Sequence, residues 1–211
     1  ILRFKSPHPI FMTPKGSGYV DKEKLNSALT LDHLNLQWPT LSITQSSFKE
    51  ICSINASLDK QLDLNERFKE EYGISLPAPG KMVNHSTGSV FWVSPSQWFV
   101  TSNQCNPYFD QLLTKKFNEV STVTLQTDAW ISIKIEGPAS LDVLERLIKI
   151  DLSERNFPSG SATRTGCSHM TIFIQKPHQE DCFIILGARS YAKSLVHTIN
   201  QVAENILGNK D

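Results

Sequence analysis

The sequence predicts an α+β fold in which antiparallel sheets carry packed helices, built from two duplicated β-α-β-β-α units. Three observations predict it. Apolar residues alternate at Ile131, Ile133 and Ile135, and again at Met170, Ile172 and Ile174, which is the period-two pattern of half-buried strands. Between such stretches apolar residues recur at helical spacing, at Leu141, Leu144, Leu147 and Ile148 and at Tyr191, Leu195, Ile199, Val202 and Ile206. The same order of elements is read in both halves at an offset of about 85 residues, as expected for a duplicated split β-α-β unit.

The elements follow in order. Residues 1–35 read as an extended N-terminal arm, broken by Pro7, Pro9 and Pro14 and then by Gly16-Ser17-Gly18. Its apolar residues are too sparse to fold alone. Residues 36–211 form the domain, with halves at about 36–120 and 121–211. Leu41, Ile43, Ile51 and Ile54 read as strand. Leu58 to Tyr72 reads as a helix with Leu62, Phe68 and Tyr72 on its apolar face and Gly73 as a left-handed cap. Pro77 and Pro79-Gly80 force a loop. Val90–Val93 and Trp98–Val100 make a hairpin around Ser94-Pro95-Ser96. Asn106 caps a helix with Pro107 at its first position and Tyr108, Leu112 and Phe117 on one face. In the second half, Gly137-Pro138 turns the strand 131–135 into a helix. The polar run Pro177–Asp181 is a hairpin loop, Phe183–Leu186 returns as strand, Ser190 caps the last helix and Gly208 closes it.

Composition narrows the function classes. The 211 residues carry 21 Lys and Arg against 21 Asp and Glu, so the formal net charge is zero. A balanced chain offers no electrostatic reason to bind nucleic acid or an anionic membrane, and its low colloidal repulsion suits a subunit of a complex. No apolar run approaches the roughly 20 residues that span a bilayer. Ile1-Leu2-Arg3-Phe4-Lys5 is too short and too charged for a signal peptide, and without an initiator Met the chain is expected to have lost residues before Ile1. Cys52, Cys105, Cys167 and Cys182 are isolated, which fits reduced thiols in a cytoplasmic protein. No two Cys or His stand at ligand spacing, so no zinc site is expected.

A set of short motifs in fixed order adds a family likeness. Ile135-Glu136-Gly137-Pro138-Ala139 is followed by Ile150-Asp151-Leu152, by Phe157-Pro158-Ser159-Gly160 with Thr165, and by Arg189-Ser190-Tyr191-Ala192 with Leu195. Leu76-Pro77 and the Trp92-Val93-x-Pro95-x-Gln97-Trp98 hairpin precede them. This layout, over roughly residues 38–206, resembles the gamma subunits of heterotetrameric sarcosine oxidases, relatives of the folate-dependent aminomethyltransferases such as the glycine cleavage T-protein. The resemblance implies an aminomethyltransferase-like, folate-binding-domain fold. It implies a complex that oxidises sarcosine to glycine with oxygen, releases hydrogen peroxide and passes a one-carbon unit to tetrahydrofolate. It further implies that this chain binds no cofactor, that FAD, FMN, NAD and zinc sit on the alpha, beta and delta partner subunits, and that tetrahydrofolate sits on the large subunit. The role implied for this chain is assembly. The alternatives are a stand-alone folate-binding protein of the same fold, or a gamma-like subunit of a related N-methylglycine demethylase. The iron–sulfur maintenance factors of this fold carry Cys in a Lys-Gly-Cys-Tyr context, where this chain has Gly166-Cys167-Ser168.

The residues themselves offer little catalysis. Catalytic relatives place an Asp pair after the Gly-x-x-x-x-Thr segment, and its carboxylate holds the folate ring. The corresponding place here is Gly166-Cys167-Ser168-His169, and no carboxylate occurs between Arg155 and Lys176. Ser168 is neutral and cannot replace it. Cys167 and His169 are expected on one face of a strand about 7 Å apart, too far for direct activation of a thiol. Asp181-Cys182 is expected in a solvent-exposed hairpin loop. Gly16-Ser17-Gly18 lacks the preceding strand and following Lys-Ser/Thr of a phosphate loop. Lys115-Lys116, Arg155 and Arg164 read as solvated charges.

The aromatics carry more information. Neighbouring strand residues point to opposite faces, so Phe91 and Trp92 cannot share one core, nor can Trp98 and Phe99. One of each pair must face outward unless a second layer covers it. Phe11, Tyr19, Trp38, Trp92 and Trp98 are therefore the expected partner interface, together with the N-terminal arm.

Overall fold

A computed structural model describes residues 34–57 and 59–208. The N-terminal arm, with Phe11 and Tyr19, lies outside the described residues. Eleven strands form two antiparallel sheets among the described residues. The first to be completed contains β3 (Glu50–Ala56), β4 (Met82–His85), β5 (Gly88–Ser94), β6 (Gln97–Ser102) and β7 (Ser121–Leu125), in the order β4-β5-β6-β3-β7. The other contains β1 (Asn35–Trp38), β2 (Leu41–Gln45), β8 (Trp130–Glu136), β9 (Ser161–Cys167), β10 (Met170–Lys176) and β11 (Cys182–Ala188), in the order β9-β10-β11-β8-β2-β1.

Written in this way the two sheets repeat each other. β4-β5-β6-β3 corresponds to β9-β10-β11-β8, and each first strand is followed by a helix, then three strands, then a second helix. The sequence pattern captured this duplication but missed one strand of the repeat in each half, β4 and β9, and also the flanking strands β1 and β7. β4 and β9 lie at sheet edges, where apolar alternation is weak. Strands are also exchanged between the halves. β1 and β2 precede β3 in sequence but pair onto β8, while β7 pairs onto β3. The residues Leu41, Ile43, Ile51 and Ile54, read as one stretch of strand, thus belong to two different sheets.

The four helices are α1 (Gln61–Tyr72), α2 (Phe109–Phe117), α3 (Ser140–Glu145) and α4 (Ala192–Leu207). Their phases differ in part from the apolar spacing read in sequence. In α1 the buried stripe is Leu64 and Phe68, one turn apart, and Leu62 is 78% exposed. In α2 it is Phe109, Leu113 and Phe117, while Tyr108 and Leu112 face out. Here the Asn106 side-chain carbonyl accepts from the Tyr108 backbone N–H (3.0 Å), which makes a turn ahead of the helix and delays its start to Phe109. In α4 the inner stripe is Ala192, Leu195, Ile199 and Ala203. Tyr191 is half exposed and Ser190 lies in a 3-10 turn without capping the helix. The two glycine stops behave as expected. Gly73 has φ 70 and donates to the Lys69 carbonyl (2.8 Å), and Gly208 has φ 86 and donates to that of Glu204 (2.9 Å).

The sheets pack face to face, and each carries two helices on its outer face. On the six-stranded sheet, Ile43, Ile133, Ile135, Ile172, Ile174 and Ile185 meet Val143 and Leu144 of α3 and Leu195 and Ile199 of α4. On the five-stranded sheet, Cys52, Ile54, Val90, Trp98 and Val100 meet Leu64 and Phe68 of α1 and Leu113 and Phe117 of α2. The opposite strand faces meet between the sheets, in a layer of Ile51, Met82, Phe91, Phe99, Phe173, Ile184 and Leu186. This layer settles the aromatic alternation. Phe91 and Phe99 point inward between the sheets while Trp92 and Trp98 point to the helices, so a second layer of the same chain covers both faces.

Candidate functional site

The Gly166–His169 segment singled out in the sequence is a tight hairpin between β9 and β10. Cys167 pairs with Met170, so Ser168 and His169 form the turn. Ser168 holds a left-handed φ of 52 and its N–H donates to the Leu147 carbonyl (3.1 Å). His169 is therefore not a position on an alternating strand, because the chain reverses before reaching it. Cys167 is fully buried, and burial pushes its thiol up to about 11. Lys149 lies along Gly166, where a β-carbon would meet Lys149 Cδ at 3.1 Å. The run thus holds a buried, protonated thiol, a neutral hydroxyl and an imidazole, and no carboxylate.

The other two buried thiols are equally quiet. Cys182 opens β11 and is fully buried, not in the solvent-exposed loop expected for it, and burial holds its thiol up at about 11. Burial also raises Cys52, to about 12, with the carboxylates of Asp110 and Glu50 adding to it. Nucleophilicity requires the thiolate. A thiol reagent added to the native protein at pH 8 is therefore expected to titrate one cysteine, the exposed Cys105, and all four after denaturation. Rapid native reaction at two or more sites would show that a buried thiol is activated.

Two concavities are formed by described residues. A groove of about 550 Å³ lies between α1, the 75–79 loop and the β5–β6 turn, bounded by Leu62, Asn65, Pro77, Pro79, Trp92 and Pro95. Trp98 anchors its floor by donating from Nε1 to the Pro77 carbonyl (2.9 Å), and the Leu76 N–H donates to Asn65 Oδ1 (2.8 Å). A second cavity of about 280 Å³ opens where the sheets meet, among Phe48, Met82, Asn84, His85, Asn103 and Ile184. His85 Nε2 lies 3.1 Å from the Thr101 carbonyl, and burial lowers its pKa, so at neutral pH the imidazole is uncharged and donates. Neither cavity is lined by a charged side chain. Both suit shape and hydrogen-bond recognition rather than acid–base chemistry. Among the described residues no three His, Cys, Asp or Glu are grouped to hold a metal ion.

The expected partner aromatics separate. Trp98 is 3% exposed in the core over α1 and α2. Trp38 is 7% exposed, packs in the core over α3 and α4 and donates from Nε1 to the Gly208 carbonyl (3.1 Å). Both indoles are enclosed within the chain, because duplication supplies a helix layer over each sheet. Trp92 alone of the described candidates keeps a half-buried face, at the rim of the larger groove. Sequence reading missed the exposure of Leu62 there. The signal for it was the Leu64–Phe68 spacing, which competes with Leu62 for the inward face.

Two antiparallel sheets, each backed by a helix pair, define the class as an α+β fold, and two solved structures share it. The chain superposes on a chain of the heterotetrameric sarcosine oxidase from Corynebacterium sp. U-96, solved in complex with pyrrole 2-carboxylate, with a TM-score of 0.70 and 19% identity over 87% of this chain and 94% of that one. It also superposes on the glycine cleavage system aminomethyltransferase T from Bartonella henselae, with a TM-score of 0.59 and 13% identity over 80% of this chain and 50% of that one. At these identities the likeness is one of fold. No family model and no curated protein sequence matches the chain. No helix among the described residues is long and apolar enough to cross a membrane.

Proposed function

We propose that this chain is an assembly subunit, of the gamma kind, in a heterotetrameric sarcosine oxidase. The observation that carries the reading is the superposition on 94% of a chain of such an oxidase, against half of the aminomethyltransferase. In this reading the alpha, beta and delta partners carry FAD, FMN, NAD and zinc, tetrahydrofolate binds the large subunit, and the assembled enzyme works in the cytoplasm. The gamma-like chain contributes surface, and the N-terminal arm with Phe11 and Tyr19 and the rim at Trp92 belong to that surface.

The test is co-expression of the affinity-tagged chain with the products of neighbouring genes. The eluate is then assayed for flavin absorbance and sarcosine-dependent peroxide. A yellow, multi-chain eluate that makes peroxide is expected. A colourless monomer recovered from a full set of partners overturns the reading, and tetrahydrofolate titration of that monomer then distinguishes a stand-alone folate-binding protein.

A further inference from the structure

The repeat of the two sheets leaves one position unfilled. In the six-stranded sheet, β8 is flanked by β2 and β2 in turn by β1. In the five-stranded sheet, β3 is flanked by β7, and among the described residues nothing pairs with the far side of β7. β7 therefore stands where β2 stands in the other sheet, and the place equivalent to β1 is open.

That open edge has the makings of a strand template. Its sequence, Ser121-Thr122-Val123-Thr124-Leu125, is uncharged and rich in β-branched residues. It contains none of the Lys, Pro or bulges with which exposed edges are usually blunted, and its register with β3 is continuous from Ser121↔Ala56 to Leu125↔Cys52. The direction of its free groups follows from that register. Gln126 N–H donates to the Ile51 carbonyl (2.8 Å) and Ser57 N–H to the Val120 carbonyl (2.9 Å), both across register positions of the same ladder. Hydrogen-bonded pairs alternate in an antiparallel ladder, so Thr122 and Thr124 face β3, while the N–H and C=O of Ser121, Val123 and Leu125 point outward. Val123 and Leu125 also extend the apolar core over α2 to this rim.

We infer that the outer edge of β7 is the place where an extended strand of a partner subunit adds to the five-stranded sheet, completing the position that β1 fills in the other. The inference rests on the subunit reading above and specifies its interface. Charge favours a different chain over a second copy. Carboxylates stand beyond both ends of β7, at Glu119 and Asp128, in long, exposed contacts with Arg67 (3.5 Å) and Arg189 (3.7 Å). Antiparallel pairing of β7 with itself about Val123 sets Glu119 of one copy beside Thr127 and Asp128 of the other, at both ends. A partner strand with an uncharged centre and basic flanks meets the edge without that repulsion.

Val123→Pro tests this in the co-expressed complex. The substitution removes an N–H that points away from β3 and puts a ring in the path of an incoming strand, while the β3 ladder is kept. Val123→Ala removes the same packing and keeps the N–H. Wild type and Val123→Ala are expected to retain flavin-bearing partners, and Val123→Pro to lose them roughly tenfold or more, with circular dichroism matching that of Val123→Ala. Amide exchange on the wild type gives an independent reading. Ser121, Val123 and Leu125 should gain protection only on assembly. Full retention of partners by Val123→Pro overturns the edge inference and leaves the subunit reading intact. Protection already present in the isolated chain overturns it also, and assigns the edge to a second copy or to residues 1–33. Failure of the wild type to capture any flavin-bearing chain removes the subunit reading, and this inference with it.

Discussion

Replacing Gly137 with Ala is expected to destabilise the fold by about 3 kcal/mol or more, among the largest effects of any single methyl group in this chain. Gly137 follows the last residue of β8 and has a φ of +121, in a region that side chains rarely adopt. A β-carbon there would lie 2.5 Å from the Thr40 carbonyl oxygen and 3.1 Å from its carbon. Thr40 cannot withdraw freely, because its oxygen accepts from the Ala139 N–H (3.1 Å) while Gly137 N–H donates to the Asp181 carbonyl (2.9 Å). One residue therefore ties the β1–β2 turn, the entry to α3 and the β10–β11 loop together. For a chain of this size the loss corresponds to a fall in melting midpoint of roughly 6–12 °C. A midpoint within 2 °C of wild type would show that the β1–β2 turn is free to move, and that this junction is not a constraint.

Phe173→Ala is expected to cost about 3–5 kcal/mol. Phe173 is the hub of the layer between the sheets, with ring centroids 5.7 Å from Phe91, 5.6 Å from Phe99 and 5.4 Å from Trp130. It is 3% exposed, so truncation leaves a cavity bordered by rings that cannot all collapse into it. The aromatic pairs add to the area term, each by about 0.5–1.5 kcal/mol. Phe173→Leu keeps most of the volume and should cost clearly less. Because the layer belongs to both sheets, calorimetry of the wild type should give one transition. If Phe173→Ala instead leaves the midpoint unchanged, or splits off a sheet at no loss to the other, the shared layer is not what couples the two halves.

The regular elements were legible because one face of each is buried, and burial writes its period into the sequence. Ile131-Ser132-Ile133-Lys134-Ile135 shows it directly, with all three isoleucines in the core over α3 and α4. The alternation of Phe91 with Trp92 and of Trp98 with Phe99 was legible too, and it required two apolar layers. Sequence could not say whether the second layer came from a partner or from the same chain. That choice depends on contacts between residues far apart in the chain, such as Phe91 with Phe173. Helix phase failed where two stripes compete, as Leu62 does with Leu64 and Phe68, since only the sheet beneath decides which stripe is inward, whereas Tyr72 packs on the Phe68 ring as its spacing predicts. At the Gly166–His169 turn, sequence established the absence of a carboxylate. Only the fold showed that the chain reverses at Ser168 and separates Cys167 from His169 in role.

Sequence by itself thus determined the α+β class, the duplication, the glycine stops of α1 and α4 and the balanced charge of the chain. These follow from local conformational preference and from burial of one face at a time. The tertiary structure decided which sheet each strand joins, that Trp38 and Trp98 are enclosed while Leu62 is exposed, and that β7 is left with an open edge. Those outcomes depend on pairing across long separations. The exchange of β2 onto β8 and of β7 onto β3 is fixed by the geometry of the whole sheet, and no local pattern of residues records it.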